Sequence, residues 1–275
     1  MTHLTSVARK PPTAADAEEE VFPFSVPAVR SLTALDLSAP VTFFVGENGS
    51  GKSTLLEGIA AAAGLPVVGS DDVATDVTLV AQRRLARSFK LAWARRTARG
   101  FFLRAEDFFG FTKRLARMRA EFRQRLAELD EEYEDRSAYA KGLAQGPVHA
   151  SLGDMERRYG ADLDANSHGE AFLKLFQSRF VPGGLYVLNE PEAPLSPQSQ
   201  LALLAMLGDM VAQDAQFVVA THSPILLAFP GARIYSFDSA PVQEVAYEEL
   251  EHVAFTRDFL NNPERYLRHL TGSGE

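Results

Sequence analysis

The sequence predicts an α/β protein: a mostly parallel sheet flanked by helices on both sides, with a helical lobe inserted into it. Three observations carry this prediction. "VTFFV" (41–45), "LYVL" (185–188) and "FVVA" (217–220) are short runs rich in β-branched and aromatic residues, which is the composition of buried strands. Helix-like segments separate them, and a parallel sheet needs such crossovers. Finally, Thr112 to about Lys141 contains neither Pro nor Gly, and carries Leu115, Met118, Phe122, Leu126, Leu129 and Tyr133 at spacings of three and four, which marks a helix with one apolar stripe.

The elements follow in chain order. Residues 1–20, "MTHLTSVARKPPTAADAEEE", have no apolar core and end in acid, so they read as a disordered lead rather than a secretory signal. From residue 21 to 275 the composition suits one large domain, or two smaller ones, with a helical insert at about 112–160. The strand at 41–45 runs into "GENGSGKST" and then into "LLEGIAAAAG", a helix closed by Gly64 and Pro66. "GFFLRAED" (100–107) is strand-like. The insert follows, and as one unbroken helix of thirty residues it would reach about 45 Å. Ser196 to about Asp214 predicts a helix with Leu201, Leu203, Leu204 and Leu207 on its apolar face. "RIYSF" and "QEVAY" read as strands, and "TRDFLNNPERYLRHL" as a helical end. No internal repeat is visible.

Composition narrows the function. The chain has no cysteine, which removes disulfides and thiolate metal sites and fits a reducing cytoplasm. Its six histidines form no spaced metal cluster. Its longest apolar runs fall well short of the roughly 20 residues that span a bilayer, so no membrane insertion is expected. The net charge is −8, unevenly spread: residues 83–125 hold 14 of the 28 Lys and Arg against Glu106, Asp107 and Glu121, a net +11, leaving −19 elsewhere. That asymmetry fits a surface for nucleic acid or an acidic protein, and equally a solvated helical face set against the acidic remainder.

Chemistry is concentrated at three strand ends. Gly46, Glu47, Asn48, Gly49, Ser50, Gly51, Lys52 and Ser53 match G-x-x-x-x-G-K-[ST] between a strand and a helix, with Thr54 next in the helix. Such a loop turns backbone N–H groups and a helix N-terminus toward phosphates. Lys52 would reach the β- and γ-phosphates, and the Ser53 hydroxyl would hold Mg²⁺, so ATP and Mg²⁺ are the expected ligands. A chance glycine-rich turn is the alternative, and the flanking strand and helix weigh against it. "LYVLNEPEAPLSP" delivers Asn189 and Glu190 to the end of a buried strand, where open α/β sheets bind ligands. Glu190 could act as general base, and Asn189 stands where a metal-anchoring Asp would be expected, a weakened Mg²⁺ ligand. An ordinary turn carboxylate is the bland reading of Glu190. His222 in "ATHSP" ends the next strand, where it could meet the γ-phosphate or the attacking water, or be structural.

Taken together and in this order, these motifs resemble the ATP-binding-cassette class of ATPases. "NSHGEAF" (166–172) lies about 20 residues before Glu190, where that class carries its signature. Ser167 and Gly169 match the serine and second glycine of Ser-Gly-Gly-Gln, while His168 and Glu170 depart from it. From about Val21 to Leu270 the chain resembles a family of small standalone bacterial ATPases of this class, closer in motif to SMC- and RecF-type proteins than to transporter subunits. "VGENGSGKSTLLE", "GFFLRAEDFF", "SHGEAFL", "ATHSPILLA" and "TRDFLNNPERYLRHL" carry the likeness. The resemblance implies a P-loop NTPase fold and a soluble ATP hydrolase, slowed by Asn189. It also implies an ATP-dependent homodimer in which Ser167, His168, Gly169 and Glu170 complete the partner's site. It puts Glu106, or else Arg104, in the place of the class's metal-sensing glutamine, and Ser196 where many members have Asp. Phe22 or Phe24 would stack on adenine or else pack in the core. Two other functions stay open: the nucleotide-binding subunit of a transporter, which needs a membrane partner, and an ATP-regulated nucleic-acid-binding or scaffold protein with little turnover.

Overall fold

The computed structural model describes residues 2–11, 21–68, 80–159 and 168–270. At its centre is a six-stranded sheet in the order β5-β6-β7-β3-β8-β9. β3 (Val41–Val45), β5 (Gly100–Arg104), β6 (Leu185–Asn189), β7 (Gln216–Ala220) and β8 (Arg233–Ser236) run parallel, and only the two-residue β9 (Gln243–Glu244) is antiparallel. Successive residues of each strand feed opposite faces. Phe43, Leu103, Leu188, Phe217 and Val219 join one core with Phe172, Leu175 and Phe176 of α6 (His168–Arg179) and with Leu203 and Leu207 of α7 (Pro197–Val211). Phe44, Phe102, Val187 and Val218 join a second core with Leu55, Leu56 and Ile59 of α2 (Lys52–Ala63). The fold is α/β, as expected: a mostly parallel sheet covered on both faces, with a helical segment.

Residues 4–9 overturn the expectation of a disordered lead. Leu4–Arg9 is β1, the middle strand of a small antiparallel sheet between β2 (Ala34–Asp36) and β4 (Phe89–Trp93). Only Leu4 and Val7 of β1 are buried, so its hydrophobic signal is weak, and what fixes it is polar. The fully buried Gln216 accepts from the His3 and Leu4 amides at 2.9 and 2.8 Å, and donates to the carbonyls of Leu4 and Leu37 at 2.8 and 2.5 Å. One side chain thus pins the small sheet to β7 of the large one. The rest of the expected lead, Met1 and residues 12–20, lies outside the described residues.

The insert is also corrected. It is a helical hairpin, α4 (Ala105–Glu132) followed by α5 (Ala138–Tyr159), and not one helix to Lys141. α4 begins early because Glu106 and Asp107 suit its first turn, and it ends where a run of carboxylates, with no basic residue among them, meets the negative end of the helix dipole. Along the predicted stripe Leu115 and Leu129 are buried, whereas Met118 is 40% exposed. Three smaller departures follow. "GFFLRAED" is strand only to Arg104, "QEVAY" only over its first two residues, and Leu201 faces solvent, 59% exposed, on the outer side of α7. The helical end divides into α9 (Glu251–Asn261) and α10 (Pro263–Leu270).

Candidate nucleotide site

The phosphate loop leaves the sheet at its centre, from β3, whose five residues are all buried. Its glycines are sterically required. Gly46 has φ +149° and a Cβ there would approach Asp238 Oδ1 and Phe237 Cβ at 3.0 Å; Gly51 has φ +101° and a Cβ would come within 2.5 Å of Val26 Cγ1. Gly51 is the N-cap of α2 and supplies no side-chain cap, so the first amides of that helix remain available to an anion. Lys52 is 4% exposed and donates to the carbonyls of Gly46 and Glu47 at 2.6 and 2.8 Å. Burial lowers its pKa, and the charges of Glu190, Asp238 and Glu192 oppose that shift. The Ser50 hydroxyl is buried with no hydrogen-bond partner among the described residues. An uncapped helix, a buried ammonium resting on carbonyls and an orphaned hydroxyl together fit a polyphosphate.

The strand beside β7 completes the arrangement. The Ser53 hydroxyl donates to Asn189 Oδ1 at 3.2 Å, so the two oxygens expected to hold Mg²⁺ already face each other, and both are of the hard type that ion prefers. Glu190 follows at φ +51°, with its amide on the Ala220 carbonyl at 2.8 Å and its carboxylate about half exposed. His222 Nε2 lies 4.0 Å from Glu190 Oε1, beyond hydrogen-bonding range. The two side chains therefore border one space without being paired.

Several supporting residues were missed from sequence. Glu192 accepts the His222 amide at 2.7 Å and so joins the β6 loop to the β7 loop. Burial pushes its carboxyl up from the usual range, against the opposing pull of that amide and the nearby Thr221 hydroxyl. Asp238 accepts the Glu47 amide at 2.8 Å and is itself bonded by the Ser236 hydroxyl at 3.0 Å, which braces the phosphate loop from β8. Glu57, on α2, takes Gln82 at 2.6 Å and Arg104 at 2.9 Å. A second carboxylate in "NEPE" was the one legible hint of Glu192; the others depend on contacts between distant segments.

A cavity of about 760 Å³ opens over the loop, lined by Pro27, Ala28, Gly46–Ser50 and His222 among others, and not by Lys52, Ser53, Asn189 or Glu190. Neither Gly169 nor Glu170 lines it. Gly169 is buried against the 194–195 turn and Glu170 is exposed in the first turn of α6; Ser167 lies outside the described residues. Glu106 does not line it either. The chain turns helical at Ala105, which leaves the Glu106 side chain 76% exposed, while Arg104 is committed to Glu57. Ser196 is the N-cap of α7, accepting the Ser199 amide at 3.2 Å. Phe24 is core, with Arg9 and Arg84 over its ring, and Phe22 is exposed. The basic 83–125 stretch is divided among α3 (Val80–Ser88), β4, β5 and α4, and its Arg119 is buried.

Residues 22–80 match the family model described as an AAA domain. No curated protein matches the chain. Among solved structures it is similar to an ATP-binding cassette of an ABC transporter in its ADP conformation, at 14% identity and a TM-score of 0.45, over 98% of this chain and 99% of that one. It is also similar to the Smc head domain with an extended coiled coil from Pyrococcus furiosus, at 10% identity and 0.43 over 90% and 98% of the two chains. The SMC head domain from Thermotoga maritima gives 15% and 0.41 over 89% and 98%.

Proposed function

We propose that this P-loop ATPase domain binds ATP with Mg²⁺, hydrolyses it slowly, and does so with two copies closing around two nucleotides. The observation that carries the reading is the meeting of Ser53 and Asn189 at 3.2 Å beneath a glycine loop, with Glu190 and His222 at the ends of adjoining strands. On binding, Lys52 would exchange the carbonyls of Gly46 and Glu47 for phosphate oxygens, setting its charge against an anion in place of a neutral acceptor. Glu190 would orient a water and accept its proton, and His222 would hold that water or the terminal phosphate from the other side. Ser53 and Asn189 would hold Mg²⁺, which supplies charge to the transferring phosphoryl oxygens. Asn189 offers an oxygen but no charge, so nucleotide should be retained better than it is turned over. That feature also supports the neighbouring reading of an ATP-regulated binding protein with little turnover.

The dimer is supported by Glu170, which is exposed in the first turn of α6 and does not line its own chain's cavity. Among the described residues no helix is long and apolar enough to cross a membrane. The test is sizing with and without ATP-Mg²⁺, beside nucleotide titration. Lys52→Ala should abolish or strongly weaken binding, and Ser167→Arg should leave monomer binding intact and block ATP-dependent dimerisation. Undiminished affinity in the first variant would remove the phosphate-loop assignment; normal dimerisation in the second would remove the shared site.

A further inference from the structure

The wall of this cavity includes a group that none of the sequence motifs supplies. After β8 the chain passes along the loop mouth at Ser236–Ala240, makes a 3-10 turn at Tyr247–Glu249, and enters α9, so that Glu249, Leu250, Glu251 and His252 line the same space as His222. His252 Nε2 is shielded from solvent and has no hydrogen-bond partner among the described residues, and His222 Nε2 shares both properties. A buried ring nitrogen is normally bonded, so two orphans on one cavity point to an absent acceptor or donor. Burial lowers the His252 pKa, charge on His222 adds to that shift, and Asp238 opposes it. Glu249, a carboxylate on the same wall, is engaged by the Ala246 amide at 3.0 Å.

Both histidines rest on one scaffold. The Tyr247 hydroxyl donates to the Pro224 carbonyl at 3.1 Å, two residues beyond His222, and Leu250 and Val253 are buried in the main core. α9 in turn packs on α10 through Phe255, Phe259 and Tyr266, with ring centroids 5.4–5.7 Å apart from Tyr266.

We propose that His252 is a second imidazole contact for the terminal phosphate, acting beside His222 and tying the α9–α10 pair to the triphosphate-bound state. The proposal rests on the cavity being the nucleotide site. Terminal phosphate oxygens are anionic acceptors that would satisfy both orphaned nitrogens in their donor form, while a diphosphate would leave them unsatisfied. His252 therefore separates ATP from ADP, and the helix pair carries the difference.

The experiment measures ATP and ADP affinities with Mg²⁺ for the full chain, His252→Ala and His252→Gln, and amide exchange of residues 251–261 with each nucleotide. In His252→Ala, ATP affinity should fall about tenfold, as for a lost hydrogen bond to a charged group, with ADP affinity within about twofold of the parent. His252→Gln keeps an N–H donor and should recover most of the loss. ATP should slow exchange in 251–261 more than ADP does, and this difference should vanish in His252→Ala. An unchanged ATP-to-ADP ratio in His252→Ala, or Gln no better than Ala, overturns the proposal. Lys52→Ala separates the two levels: if it loses nucleotide while the ratio in His252→Ala stays put, only the role of His252 fails.

Discussion

Asn189→Asp should raise ATP turnover at least about tenfold while leaving ATP affinity nearly unchanged. Asn189 ends β6 half-buried, with Oδ1 receiving the Ser53 hydroxyl at 3.2 Å, and Asp would present an oxygen at the same point. The new element is charge. A carboxylate one water away from Mg²⁺, at about 4 Å and an effective dielectric near 20, gains roughly 8 kcal/mol of gross attraction. Most of that is offset by stripping water from both ions. What survives for groups one water removed from a metal is about 10–100-fold, or roughly 1.4–2.7 kcal/mol. Asp would also stand next to Glu190 in the chain, so the metal-free protein should gain no stability from it. Steady-state phosphate release across a Mg²⁺ titration measures both effects: Asp should raise the plateau and shift the midpoint to lower Mg²⁺. Equal plateaus and equal midpoints would refute the argument, because charge at 189 would then act on nothing.

Two further outcomes are expected. Gln216→Leu should cost about 3–5 kcal/mol in denaturant unfolding, because it strands the His3 and Leu4 amides and the Leu4 and Leu37 carbonyls in the interior; a loss below about 1 kcal/mol would mean β1 is held by other contacts. Glu192→Gln bears on pH. The folded protein holds this carboxyl above its usual range through burial, so its contribution is fully present below the unfolded pKa of about 4.3 and lost as pH rises through the folded value. Gln removes that dependence and can still accept the His222 amide, so parent minus variant stability should be most favourable to the parent in acid and fall toward neutral pH. A flat difference across that range would show that the carboxyl is not perturbed.

Legibility of the chain followed the length of the interactions involved. Strands at 41–45, 185–189 and 216–220 were readable because each is buried on both faces and so is apolar without interruption. The phosphate loop was readable because its constraints are local: glycines forced by close backbone approach at Gly46 and Gly51, followed directly by α2. β1 was not, since its place depends on a glutamine some 212 residues away. The end of α4 was missed because the usual stop signals are Gly and Pro, and here an acidic run serves instead. The strand signal at 100–107 overran its true end at Arg104, although the acidic pair Glu106 and Asp107 is a helix-start signal. His252 carried no signal at all, since only the path of 236–252 across the loop mouth brings it near His222.

The same distinction accounts for an asparagine at the end of β6. The loop that carries Glu190 is held by groups other than residue 189: the Glu190 amide on Ala220, Glu192 on the His222 amide, and the Thr221 amide on the Phe44 carbonyl at 3.1 Å. Beyond them, the Ser223 hydroxyl reaches Gln200 Oε1 at 2.6 Å and fixes the loop after His222 to α7. These bonds tie the ends of β3, β6 and β7 together, and none requires charge at 189. What the Ser53 hydroxyl needs there is an acceptor oxygen, which Asn and Asp both provide. Neither packing nor hydrogen bonding in the nucleotide-free chain therefore selects between the two residues. A position so indifferent in the fold leaves the difference between Asn and Asp to emerge only when a metal ion and a developing phosphoryl charge are present, which is why turnover, and not stability or nucleotide affinity, is the quantity that reads it.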